Sequence, residues 1–185
     1  PWVIKPHKRT LRFLKDGFST VIHGTVGHDE TRATCSLVEN ESGKFLVVHD
    51  LKEAQYLADY LCGKLSAAEL MDILHPNAFS MDFDPERDLQ KIGIINQTTM
   101  LASESRAIGD LLKNALLERD GEEGIAQTFR DFDTICRATQ DNQDAANAVV
   151  QDHPDLFLVV GGYDSSNTRN LARVGDRYKV PSYHI

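Results

Sequence analysis

Four short runs, FSTVIHG (18–24), KFLVVHD (44–50), KIGIIN (91–96) and DLFLVVGG (155–162), are almost continuously apolar and rich in β-branched residues. A strand with one wet face alternates polar with apolar residues. A run without that alternation is buried on both sides, the condition of strands inside a parallel sheet. Helical periodicity occupies KPHKRTLRFLKD (5–16), LKEAQYLADYLCGK (51–64), SESRAIGDLLKNALLERD (103–120) and QDAANAVVQDH (143–153). Strand, polar loop and helix therefore recur along the chain, which predicts an α/β fold of small modules, each a parallel sheet flanked by helices. The charged, glycine-bearing DGEEG (120–124) predicts the end of the third helix, with a domain boundary shortly after it. We divide the chain into a module over 1–132 and part of another over 133–185. HPNAFSMDFDPERD (75–88) is expected to be a loop excursion within the first module.

The charge balance narrows the partners. A formal charge of −8 and a pI near 5.3 argue against nucleic acid, whose affinity comes from clustered Lys and Arg. No apolar run approaches the roughly 20 residues of a membrane helix, and PWVIKPHKRT (1–10) lacks a signal-peptide core, so a soluble, cytoplasmic-type protein is expected. Three scattered cysteines, Cys35, Cys62 and Cys136, are too few for a disulfide framework.

The predicted strands end in polar clusters. HGTVGHDET (23–31), NQTTM (96–100) and GGYDSSNT (161–168) each follow a strand and open a helical pattern. In open α/β sheets ligands bind beyond the carboxyl ends of the strands, where helix N-termini present unpaired N–H groups suited to an anion. The same residue types are ordinary helix caps, so each cluster admits both readings. Neither a G-x-x-x-x-G-K-[ST] nor a G-x-G-x-x-G motif is present.

His28 and Glu30 at such a turn can exchange protons with a ligand oxygen. Equally, Asp29 and Glu30 favour the first turn of a helix through its dipole. His23, His28, Asp29 and Glu30 could also be weighed as a metal set, with spacing unlike familiar zinc patterns. Of the cysteines, Cys62 reads as a core residue of an amphipathic helix and Cys35 as either structural or chemical. Cys136, between a β-like run and a polar helix start, is the one placed for chemistry.

Taken in order, GHDETRAT (27–34), NQTTM (96–100), DTICRATQDNQDA (133–145) and VVGGYDSSNTRNLA (159–172) closely resemble the 4-hydroxy-3-methylbut-2-enyl diphosphate reductase (LytB/IspH) family, in its cyanobacterial and plant-type branch. The resemblance covers almost the whole chain. It implies three similar α/β modules around a 4Fe-4S cluster held by three cysteines, of which this chain carries the middle module and an incomplete last one. It also implies reductive removal of an allylic hydroxyl with two electrons and protons, giving isopentenyl and dimethylallyl diphosphate. Residue by residue, the resemblance makes Glu30 the proton relay and His28 a substrate contact. Thr98 would lie at the hydroxyl end of the substrate, Ser165, Ser166 and Asn167 would hold the diphosphate, and Cys136 would be a cluster ligand. The implied partners are an allylic diphosphate and an electron donor such as ferredoxin or flavodoxin, and the compartment is cytoplasm, or plastid stroma for a plant parent. The family's cysteine before a PWV-like segment, its first module and its final diphosphate-binding Ser have no counterpart here, so the chain reads as an internal fragment. Cys35 and Cys62 match no family role. Two other classes remain open at this level: a non-catalytic module binding a phosphorylated ligand, and a metal-dependent hydrolase built on His28, Asp29 and Glu30.

Overall fold

The computed structural model describes residues 4–131 and 134–185. In chain order the elements are α1 (Ile4–Lys15), β1 (Ser19–His23), α2 (Asp29–Asn40), β2 (Phe45–Val48), α3 (Leu51–Leu61), α4 (Ala67–Ile73), a 3-10 turn (Pro76–Ala78), α5 (Pro85–Asp88), β3 (Ile92–Asn96), α6 (Ala102–Thr128), β4 (Phe129–Asp131), α7 (Arg137–Gln151), β5 (Phe157–Val159), α8 (Ser166–Arg177) and β6 (Ser182–His184). They group into two compact units. One comprises residues 1–97 and 104–134, the other residues 98–103 and 135–185.

The first unit is a parallel sheet in the order β2-β1-β3-β4. Val21 pairs with Leu46 on one side and Ile94 on the other, which places β1 and β3 at the centre. Every residue of β1, β2 and β3 is buried, as their lack of polar–apolar alternation predicts, the polar Ser19, Thr20, His23 and Asn96 included. The core continues into Phe13 of α1, Leu57 of α3 and Ile108, Leu112 and Leu116 of α6. Gly93 makes room for α1 against the sheet: a Cβ there would stand 2.5 Å from the Phe13 ring.

Two local expectations are corrected. Residues 75–88 are packed rather than looped out. Ala78 and Phe83 are buried, the Phe79 and Phe83 rings lie 5.4 Å apart, and Leu46 bridges Phe79. The chain covers the open side of β2 with short capped turns whose apolar residues follow no long period, and α4 before them starts from a Ser66–Glu69 capping box. DGEEG breaks its helix as expected, but helix, not loop, follows the break. Gly121, at φ 72° and ψ 175°, kinks α6, and helix resumes to Thr128. One left-handed residue is a local defect when the apolar stripe continues on both sides of it.

In the second unit β5 and β6 form a two-stranded parallel sheet. Leu101, Ala146, Val150, Val174 and Val180 form a small core with Phe157, Leu171 and Tyr178 packed against it. The expectation that DLFLVVGG is buried on both faces does not hold for this strand. Val159 faces the core, whereas Leu158 is 48% and Val160 79% exposed. β6 had no counterpart among the sequence-predicted strands.

The Gly93 contact is testable. We expect Gly93→Ala to lower stability by about 1–3 kcal/mol through overpacking, read as a lower urea midpoint, and Phe13→Leu in the same chain to recover part of the loss. An unchanged midpoint would show that α1 shifts freely.

Candidate functional site

The strand order of the first unit reverses between β1 and β3. The chain leaves β1 toward β2 on one side and returns to β3 on the other, so the loops after β1 and β3 diverge and leave a crevice at their carboxyl ends. Gly24–His28 and Gln97 occupy that place. The Gln97 backbone N–H donates to the His23 carbonyl at 2.8 Å, prolonging the β1–β3 ladder. Its side-chain Oε1 accepts from the Thr25 N–H at 3.0 Å and from the Thr31 hydroxyl at 3.1 Å. Gly24 passes so close that a Cβ would meet Thr31 Oγ1 at 2.7 Å and Gln97 Cβ at 3.1 Å.

His28 caps α2. Its Nδ1 accepts the Glu30 N–H at 3.2 Å, which uses the Nδ1 lone pair and puts the proton of the neutral ring on Nε2, a donor on the opposite edge. Glu30 lies half-buried in the first turn of α2 and Asp29 is exposed. The structure thus brings His28 and Glu30 together, and the capping and dipole reading describes part of what they do. His49, after β2, reaches the Thr25 hydroxyl at 3.4 Å. The set weighed for a metal does not converge, because His23 Nδ1 is bonded to Ser105 Oγ at 2.9 Å and His28 Nδ1 is used by the cap. Among the described residues no three His, Cys, Asp or Glu side chains group to hold an ion.

The second unit presents three helix or loop starts. Gln143, buried in α7, ties down the segment carrying Thr98. Its Oε1 accepts the Ala102 N–H and its Nε2 donates to the Met100 carbonyl, both at 2.9 Å. Asn170 of α8 donates to the Thr99 carbonyl at 2.7 Å. The Cys136 N–H donates to the Thr98 carbonyl at 3.3 Å, so Thr98 and Cys136 are neighbours through the backbone. Cys136 Sγ caps α7, accepting the Thr139 N–H at 3.4 Å with Thr139 Oγ1 at 3.3 Å. Ser165 caps α8, its Oγ accepting the Thr168 N–H at 3.3 Å. That bond uses a lone pair and leaves the hydroxyl proton to donate. Ser166 opens α8, and Asn167 Oδ1 is buried with no hydrogen-bond partner among the described residues. Gly161 is required beside them, since a Cβ would fall 2.4 Å from Thr168 Oγ1. Gln97, Gln143 and Asn170 were not singled out from the sequence. Amides that bond to backbone far along the chain carry no local pattern.

The cysteines divide by environment. Burial, reinforced by Glu39, pushes the Cys35 thiol up to about 12. Burial and a hydrogen bond to Glu118 raise Cys62. Neither favours a thiolate. Cys136 differs from both in standing at a helix start, with the Thr139 N–H directed at its sulfur and the Thr139 hydroxyl 3.3 Å away.

A family model described as LytB protein matches residues 1–185. The 4-hydroxy-3-methylbut-2-enyl diphosphate reductase of Nostoc sp. is 43% identical over 185 residues, covering 100% of this chain and 45% of the relative. The protein of the same name from Synechococcus sp. is 44% identical over 185 residues, covering 100% and 44%. The chain thus spans less than half the length of these curated relatives. The solved structure of E-1-hydroxy-2-methyl-but-2-enyl-4-diphosphate reductase from Plasmodium falciparum matches with a TM-score of 0.68 at 21% identity, over 100% of this chain and 46% of that one, a likeness of fold.

Cys35 makes the fold pH-sensitive. Its folded thiol keeps the proton up to about 12 whereas the unfolded one ionises near its ordinary 9.0. The native state therefore binds more protons above pH 9, and its stability contribution, complete below that pH, is lost as pH rises toward 12. We expect urea midpoints to fall in this range and Cys35→Ala to flatten the fall. An equal slope in the variant would refute the assignment.

Proposed function

The chain belongs to the LytB protein family, and from that premise we propose that it forms the middle module and part of the last module of a 4-hydroxy-3-methylbut-2-enyl diphosphate reductase, divided near residues 132 and 133. One observation supports this reading above the others. GHDET, QTTM, TICRAT and SSNT, within the four stretches that carry the resemblance, each follow a strand along the chain and lead into, or form the first turn of, the next helix. That is where an α/β protein builds its ligand site. A non-catalytic binding module or a hydrolase on His28, Asp29 and Glu30 would leave Cys136, at the start of α7, with no role beyond its cap.

The reaction replaces an allylic C–O bond by C–H. Two electrons and two protons enter, one proton leaves with the hydroxyl as water, and the other is added to carbon. Cys136, together with cysteines outside this chain, would hold a 4Fe-4S cluster, which would supply the electrons and a Lewis-acidic iron for the hydroxyl. Glu30 holds the proton destined for the departing oxygen. Neutral His28 donates through Nε2–H, and Thr98 bonds at the hydroxyl end of the substrate. The diphosphate is bound by the Ser165 and Ser166 hydroxyls, the Asn167 amide and the free N–H groups at the start of α8. DSSNT (164–168) contains no Lys or Arg, so the anion is held by hydrogen bonds and the helix dipole. A one-electron carrier such as ferredoxin or flavodoxin is the donor. No helix among the described residues is long and apolar enough to cross a membrane, and we place the enzyme in the cytoplasm, or in the plastid stroma for a plant parent.

In the full-length protein, Glu30→Gln is expected to keep cluster content and substrate affinity while turnover falls by roughly two decades or more, the contribution of a positioned proton donor. Steady-state kinetics with iron analysis in parallel will decide, and near-normal turnover at full loading would remove Glu30 from the mechanism. For the anion, Asn167→Ala should weaken binding of inorganic diphosphate by roughly 10–100-fold, the loss of one hydrogen bond to a charged group. Titration calorimetry reads this directly, and unchanged affinity would reduce Asn167 to a role in α8 alone.

A further inference from the structure

We infer that Gln97 is a positioning residue for the proposed proton relay, acting through the loop that carries His28 and Glu30; the inference rests on the function proposed above. Gln97 is 2% exposed, and a polar side chain buried to that degree must find partners. The partners of its Oε1 stand on opposite flanks of the relay: the Thr25 N–H at 3.0 Å lies before His28 and the Thr31 hydroxyl at 3.1 Å lies after Glu30. A single oxygen therefore closes the loop from Thr25 to Thr31 into a ring. The anchor is stiff, because Gln97 continues β3 and its own N–H bonds to His23 of β1. There is no slack at the neck of the ring, where a Cβ on Gly24 would collide with Thr31 Oγ1 and crowd Gln97.

The ring sets the entry of the chain into α2. His28 reaches Glu30 N–H only when residues 28–30 take the capped turn, and Thr31 opposite Gln97 fixes the rotation of that turn about the helix axis. Releasing Oε1 lets the turn rotate, carrying the Glu30 carboxyl with it. Displacement of a reacting group by about 1 Å can cost 10²-fold in rate. Gln97 needs no contact with substrate for this. It also directly precedes Thr98 in sequence, so the QTT triplet holds a residue for the loop beside one proposed for the ligand.

The test uses the full-length, cluster-loaded enzyme. Gln97→Met keeps the length and apolar packing of the side chain and removes the acceptor. Thr31→Val removes one of the two donors at nearly constant shape, and Thr31→Ser restores it. We expect Gln97→Met to lower kcat by roughly 10–100-fold, Thr31→Val to lower it less, and Thr31→Ser to recover most of that loss. The Gln97→Met/Glu30→Gln double variant should be no slower than Glu30→Gln alone, because residues acting as one unit are not additive. Amide hydrogen exchange should accelerate at Thr25 and Glu30 in Gln97→Met while Val21 and Ile22 of β1 keep their protection. Near-normal turnover in Gln97→Met, or losses that multiply in the double variant, would overturn the inference even with Glu30→Gln slow. If Gln97→Met does not fold, Thr31→Val and Thr31→Ser carry the same comparison. A fast Glu30→Gln enzyme would instead refute the proposed relay, whereas the exchange rates at Thr25 and Glu30 still decide whether Gln97 holds the loop.

Discussion

The pairing of β1 with β3, in parallel and with both faces covered, is the constraint from which the first unit follows. A buried strand must place every N–H and C=O in a ladder, and β1 does so against β2 on one edge and β3 on the other. Because the chain visits β2 before β3, the loops at the carboxyl ends of the central strands must part. The crevice is a consequence of strand order and needs no special residue to open it. What the residues decide is which groups line it and how firmly they are held.

Firmness comes from amides used as internal acceptors and donors. Gln97 ties the loop after β1, and Gln143 with Asn170 ties the segment after β3 to α7 and α8. Such bonds are individually worth only about 1 kcal/mol net, yet leaving a buried partner unmatched costs more. They therefore specify a conformation more than they add stability. Capping works in the same double sense. His28, Cys136 and Ser165 each give a lone pair to a helix N–H, while the His28 ring proton, the Ser165 hydroxyl proton and the remaining sulfur lone pairs stay available. The cap and ligand readings posed by composition are chemically compatible, since one group can serve both ends.

Much of this was legible beforehand because the signals are local. FSTVIHG, KFLVVHD and KIGIIN declare buried strands by lacking alternation, and Asp120 is followed at once by the residue where α6 kinks. Residues 75–88 were misjudged because their apolar residues give no consistent signal: Phe79, Met81 and Phe83 alternate, yet Met81 is exposed while Ala78 and Phe83 are buried. Short turns pack by shape and not by pattern. The expectation for DLFLVVGG failed for a different reason: the run has the composition of a strand covered on both faces, yet Leu158 and Val160 lie on a face that no described element covers. Composition reports what a strand can tolerate, and its neighbours decide what it meets.

Sequence by itself determined the class of fold, the succession of strand, polar loop and helix, and the four motifs that mark the family, since each is written in fewer than about 20 consecutive residues. Tertiary structure alone decided that β1 lies between β2 and β3, and that Gln97 closes the loop around Glu30. These facts join residues such as Thr31 and Gln97, 66 positions apart, through bonds that exist only after the intervening chain has crossed the sheet. Hydrophobic periodicity carries no record of such a bond, because an amide oxygen buried against a hydroxyl changes neither the period nor the composition of the segments that bring them together.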